Sequence, residues 1–256
     1  MTTRPRILPA GTPARHVGDH LREWRQRRRL SQMDLALEAD VSTRHLSFVE
    51  TGRSVPSRDM ILHLAERLDI PLRDRNVMMV AAGYAPVFPE RRLDDPAIAA
   101  ARRAVDIVLA GHEPYPAVAL DRHWNLAAHN RAIAPFLEGC AAELLAPPVN
   151  MLRLSLHPQG IAPRIENLGE VRAHLLARLR RQIELTADPV LEGLLAEVSA
   201  WPVPFSRPHP HRGREAGELF VPVRLRTSTG LLTLISATTV FGTPVDVTLS
   251  ELAIET

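Results

Sequence analysis

Ser31 to Pro56 reads SQMDLALEADVSTRHLSFVETGRSVP, and the spacing of its residues predicts two short helices joined by a tight turn. Ser31 stands at an N-cap position, where its hydroxyl accepts an orphan backbone N–H, and Leu35, Ala36 and Ala39 follow with helical spacing. Gln32 falls on the first turn, beside unpaired N–H groups that suit a phosphate oxygen. The turn is Ala39-Asp40-Val41. Ser42 caps the next helix, in which Leu46 and Val49 face inward while Thr43, Arg44, Ser47 and Phe48 face out. Thr51-Gly52 ends that helix, because glycine tolerates the left-handed conformation that reverses the chain.

This stretch resembles the Cro/phage-repressor class of helix-turn-helix domains. The resemblance rests on Arg25, Ser31-Gln32, Leu35-Ala36, Val41-Ser42 and Glu50 to Pro56, with Asp40 where many relatives carry Gly. It implies double-stranded DNA as a partner. Thr43, Arg44, Ser47 and Phe48 are then expected at base edges, and Arg25, Gln32, Ser42 and Arg53 at phosphates, where a guanidinium binds oxygens as a fork. Two readings of Phe48 stay open: contact with a thymine methyl or sugar, or cover for the domain surface against a partner subunit. His45 lies toward the flank of the helix, where a backbone or structural role is as good a reading as a base contact. One such domain buries too little DNA surface for tight binding, so a homodimer on a roughly palindromic operator is expected.

Outward from this core, Val17, Leu21 and Trp24 share one face of a preceding helix. Ser57 caps a fourth helix carrying Ile61, Leu62, Leu64, Ala65 and Leu68, and Pro71 precedes a fifth that Gly83 closes. Residues 1–15 are rich in Pro, Thr and Arg and carry no signal-peptide pattern, so they read as a flexible basic arm. The cytoplasm is the expected compartment.

The 256 residues are 45% hydrophobic, enough for two modest cores, and no apolar run is long enough for membrane insertion. The net charge is only +2, but all 31 basic residues are Arg, and Arg22, Arg25, Arg27, Arg28 and Arg29 cluster beside the helix-turn-helix pattern. The local field therefore matters more than the total. Cys140 is the sole cysteine, which excludes an internal disulfide and favours a small buried apolar role over a reactive thiol.

Residues 84–96, YAPVFPERRLDDP, break the helical pattern with three prolines and read as a linker. An amphipathic helix over Ala97 to Leu109 follows, placed to pack on either domain. Pro116 to Leu137 then reads as strand, turn, strand and helix, with the turn at Asp121 to Asn125 and a helix opened by Asn130. This is similar to the opening of a PAS domain. Leu219 to Thr227, Leu231 to Phe241 and a segment near Val245 to Ile254 supply further strands, while Leu168 to Arg181 and Pro189 to Ala200 have helical periods. The expected architecture is multidomain: an all-α five-helix Cro-like domain at 16–83, then an α+β PAS-like domain at 97–256 with a five-stranded antiparallel sheet.

Over nearly its full length the chain resembles the MmyB-like regulators, which join a Cro-like domain to a PAS-like ligand-binding domain. RHLSFVETGRSVPSRDM, PLRDRNVMMVAAGYAP, HEPYPAVALDRHWNL, NMLRLSLHPQGIAPRIENL and VFGTPVDVTLSELAIET carry the resemblance. The chain departs from that pattern in its slightly early end at Thr256 and in a Pro/His-rich, loop-like Trp201 to Glu218. The resemblance implies a transcription regulator whose second domain takes a fatty-acid-like ligand. From the residues, an apolar cavity between the sheet and Asn150 to Leu156 has Trp124, Phe136, Leu152, Leu154, Leu156, Val223, Leu225, Leu234 and Phe241 as candidate lining, and the bland alternative is a simple packed core. Arg153, His157 and Arg164 have the chemistry to hold a carboxylate head.

Other functions find little support in the sequence. His209-Pro210-His211 lies in a proline-rich stretch without the fixed spacing of a metal site, and no cofactor is expected. Asp121, His129 and Ser155 supply catalytic residue types but no nucleophile elbow, phosphate loop or dinucleotide fingerprint, so the chain does not read as an enzyme. The alternative for the second domain is a dimerisation or protein-contact module that binds no small molecule.

Overall fold

The computed structural model describes residues 15–202 and 221–256. The chain divides into two compact units between Pro89 and Glu90. Residues 1–14 of the expected N-terminal arm lie outside the described residues, as do the His209-Pro210-His211 stretch and Leu219-Phe220.

The first unit is five helices: α1 (Val17–Arg27), α2 (Gln32–Glu38), α3 (Thr43–Glu50), α4 (Arg58–Arg67) and α5 (Leu72–Ala81). Three serine hydroxyls start three of them. Ser31 accepts from the Asp34 N–H and is answered by the Asp34 carboxylate, Ser42 accepts from the His45 N–H, and Ser57 from that of Met60. The apolar stripes converge on one core that includes Leu21, Trp24, Leu35, Leu46, Val49, Ile61, Leu64 and Met79. Asp40, at the turn between α2 and α3, has φ of 51°, a left-handed geometry that Asp tolerates better than most side chains. Gly18 lets α1 cross α3 closely, since a Cβ there would fall 2.1 Å from the Val49 carbonyl oxygen. Residues beyond α5 are tied back to this unit. The Asn76 side chain bonds the backbone of Val87 and Phe88, and the Tyr84 hydroxyl donates to the Pro56 carbonyl.

The second unit opens with α6 (Ala99–Gly111), followed by β1 (Val118–Leu120), β2 (Leu126–His129), α7 (Ala134–Leu137), α8 (Ala142–Leu145) and α9 (Met151–Leu156). Two longer helices, α10 (Leu168–Thr186) and α11 (Pro189–Ala200), precede β3 (Val223–Thr227), β4 (Gly230–Leu234), β5 (Thr238–Val240), α12 (Val247–Ser250) and β6 (Ala253–Glu255). The strands form a four-stranded antiparallel sheet of order β2-β1-β6-β5 and a separate β3-β4 hairpin. This corrects the five-stranded expectation. The run Leu231 to Phe241 does not stay in one ladder: β4 pairs only with β3, and after residues 235–237 β5 joins β6 instead.

Alternation along β1 makes the sheet two-faced. Val118 and Leu120 face a core built from α9, α10, α11 and β3, while Ala117 and Ala119 face a smaller cluster with Val105 and Leu109 of α6. Asn130 does not cap the helix it precedes. Its buried side chain accepts from the Ala117 N–H and donates to the Leu109 and Tyr115 carbonyls, joining α6 to the edge of the sheet. Among the described residues no helix is long and apolar enough to cross a membrane.

Candidate DNA-reading surface and apolar ligand site

On the first unit, α3 carries its polar side chains outward because Leu46 and Val49 are buried on the opposite side. Thr43 and Arg44 are exposed in its first turn, and Ser47 and Phe48 are half-buried one turn later. Arg53 is exposed beyond the helix end. The guanidinium of Arg44 lies 5.3 Å from the centre of the Phe48 ring and that of Arg53 lies 5.9 Å from it. The Ser42 hydroxyl uses an acceptor lone pair in its cap and keeps its proton to donate.

Arg25 and Gln32 sit elsewhere. Arg25 is only 8% exposed, and its Nε and one terminal nitrogen donate to the two Glu50 oxygens at 2.6 and 2.9 Å. Its other terminal nitrogen donates to the Leu30 carbonyl at 2.8 Å. Gln32 Nε2 donates to the same Glu50 carboxylate at 2.8 Å. The phosphate role expected of Arg25 is corrected by this burial, while Gln32 is half-buried and gives Glu50 one of its amide hydrogens. A buried carboxylate at the end of α3 needs donors, and Arg25 from α1 and Gln32 from α2 supply them. The hydrogen bonds it donates to Glu50 hold the Arg25 guanidinium above its ordinary range, against the opposing effect of burial. The sequence placed Arg25 in a basic run beside the reading helix, but only the fold shows it turned inward. Of the other basic residues, Arg28 donates to the Leu68 and Asp69 carbonyls and lies 5.2 Å from the Trp24 ring centre.

In the second unit, Trp124, Leu152, Leu154, Leu156 and Leu225 are buried in one cluster, and Phe136 and Val223 pack against it. Leu234 and Phe241 do not join them. Leu234 is half-buried on the β4 side of the hairpin, and Phe241 packs against the α6 cluster on the opposite sheet face. Trp124 has φ of 68°, and its indole N–H donates to Gln182 at 2.8 Å. Arg178 lies 4.7 Å from the Trp124 ring centre and pairs with the Glu255 carboxylate of β6. Sequence reasoning missed Gln182 and Arg178, which read as the polar face of a long helix.

The three candidate head-group residues all have protein partners. Arg153 makes a two-pronged pair with Glu197 at 2.7 and 2.8 Å, and that hydrogen bonding raises its pKa while burial opposes it. Arg164 donates to the Pro135 carbonyl at 3.2 Å and to that of Phe136. His157 accepts from the Gln159 N–H and stands edge-on to Trp201 at 4.8 Å. Arg164 and His157 both reach the apolar cluster by their contacts, because Phe136 and Trp201 pack against that cluster. Cys140 is half-buried beside it, its thiol donating to the Phe136 carbonyl at 3.7 Å. Burial pushes the Asp188 carboxyl up, but hydrogen bonds from His123 and the Val190 N–H and the charge of Arg122 outweigh it, leaving it below the usual carboxylate range. Among the described residues no cluster of His, Cys, Asp or Glu is arranged to hold a metal ion.

Comparison with known proteins gives two matches that divide the chain as its fold does. Residues 101–256 match the MmyB-like transcription regulator ligand binding domain, and residues 16–78 match a helix-turn-helix domain. A protein of Methanoculleus marisnigri whose name describes an HTH-type transcriptional regulatory protein is 34% identical over 126 residues, which is 47% of this chain. The match spans 40% of that relative's length.

Proposed function

Because the chain belongs to the MmyB-like transcription regulator family, we propose that it binds DNA in a sequence-specific way through α3 and that a small apolar ligand in the second unit sets its regulatory state. The observation that carries the DNA reading is the outward face of α3, where Thr43, Arg44, Ser47 and Phe48 are presented by a helix braced from behind by Arg25 and Gln32 on Glu50. Ser42 and Arg53 serve the phosphates on either side of that face. Two subunits would place their α3 helices in successive major grooves of a near-palindromic operator.

For the ligand, a fatty acid is the class we propose. Its chain would enter the apolar cluster between the sheet and α9, past the half-buried Phe136 and Val223, with Arg164 at the rim for the carboxylate. Arg164 would exchange two backbone carbonyl partners for a charged one, a favourable trade for a guanidinium. The ligand acts only through its differential affinity for the two states of the dimer. Native mass spectrometry of the purified chain, followed by denaturation and identification of what is released, tests this. A fatty acid carried near one per subunit supports the sensor, and a chain that neither carries nor takes up fatty acid removes it.

A second reading, in which the second unit is a dimerisation or protein-contact module, is favoured by one observation. Leu231 and Leu232 on β4, Ile235 after it and Val240 on β5 are exposed, large apolar side chains that a partner protein would cover. A dimer with no bound small molecule, dissociated by Leu232→Glu, is the outcome that selects it.

A further inference from the structure

We propose that Arg44 and Phe48 together read a single base step, a guanine adjoining a 5-methylpyrimidine, in each half-site. The inference rests on the DNA-binding function proposed above and adds the chemistry of what is read. Arg44 and Phe48 are four residues apart on α3 and so share one face of the helix. The guanidinium of Arg44 lies 5.3 Å from the ring centre of Phe48. The backbone that carries the ring is also held: the Phe48 carbonyl accepts from the N–H groups of Arg53 and Ser54 at 2.8 and 3.2 Å, folding the chain after α3 back onto this residue. Arg53, brought to 5.9 Å from the same ring, leaves from beyond the helix end and serves the phosphates rather than the bases.

A guanidinium fork in the major groove matches the O6 and N7 acceptors of guanine. Phe48 has no donor or acceptor to offer a base edge. The apolar feature on the major-groove floor is the 5-methyl group, carried by thymine and equally by 5-methylcytosine. Because the fork and the ring touch, their targets must be neighbours, and one base step of about 3.4 Å fits that separation where several steps would not. Arg44 alone would select guanine and leave the adjoining position unread. With Phe48 beside it, the methyl group is selected as well.

The test uses the full chain and a random duplex library. The enriched half-site is expected to hold a guanine beside a thymine, and replacing that thymine by uracil, which deletes only the methyl group, should weaken binding about fourfold. Comparing cytosine with 5-methylcytosine at the same position separates the two sources of the methyl: a gain extends the site to methylated DNA, and no gain confines it to thymine. Phe48→Ser should erase the difference between thymine and uracil while guanine selection persists, and Arg44→Ala should do the reverse. Equal binding of the thymine and uracil duplexes, or a methyl effect that survives in Phe48→Ser, overturns the inference. If a sequence is enriched but shows no methyl dependence, only this inference falls; if no sequence is enriched, the DNA-binding reading falls with it.

Discussion

The two units use charge in opposite ways. In the first, one buried ion pair, Arg25 with Glu50, closes the back of α3, and Arg44 and Arg53 are left exposed on its outer side. In the second, Arg153, Arg164 and Arg178 are each engaged by protein oxygens around an apolar cluster. The lesson is that a cationic side chain near a candidate site is informative only once its partners are known. Burying a guanidinium without an oxygen partner is too costly to persist, so the fold claims some arginines and leaves others for an external ligand.

The largest expected effect breaks this comparison on the DNA side. Glu50→Ala strands the Arg25 charge in the core and should cost about 3–5 kcal/mol in urea unfolding, with DNA binding lost as α3 loosens. Replacing both partners by Leu and Met should recover most of that stability. If Glu50→Ala is as stable as the parent, the ion pair does not brace the helix.

Leu154 is fully buried on α9, and Leu154→Ala should destabilise the second unit by about 3 kcal/mol. Binding of the parent operator at low temperature should persist as far as dimerisation survives. A loss confined to the unfolding transition reported by Trp124 and Trp201, with that of Trp24 unmoved, would show that the two cores fold as separate units.

The exposed arginines should separate by role. Arg44→Ala should lower affinity for the selected operator by about tenfold and flatten preference at the guanine position. Arg53→Ala should weaken specific and random duplexes alike and reduce the salt slope by about one. Competition titrations at several salt concentrations distinguish the two, and equal losses on both kinds of DNA for Arg44→Ala would reverse its assignment.

The smallest effect concerns pH. The Asp188 carboxyl is depressed in the folded state, so its contribution to stability is present above the usual carboxylate pKa of about 3.9 and is lost as pH falls through the lower folded value. Asp188→Asn should therefore reduce stability at neutral pH and flatten its decline under acid. Unfolding midpoints measured between about pH 6 and pH 2 check this, and an unchanged acid slope removes Asp188 from the account.

What the sequence determined by itself was the first unit and the opening of the second. Ser31, Ser42 and Ser57 start their helices through hydrogen bonds three residues away, and the apolar stripes of α1 to α5 repeat within a single turn, so both signals are local. The β1-turn-β2 pattern and the periods of α10 and α11 are local in the same sense. The tertiary structure decided the rest. β6 enters the middle of the sheet between β1 and β5, pairing Val118 with Glu255, and no spacing along the chain announces that register. Only the packed state turned Arg25 and Gln32 toward Glu50, separated Leu234 and Phe241 from the main apolar cluster, and divided Leu231 to Phe241 between two ladders. Caps and periodicity are governed by neighbours a turn away, whereas strand order and the fate of a charge depend on what burial brings close, and that is set by the folded chain as a whole.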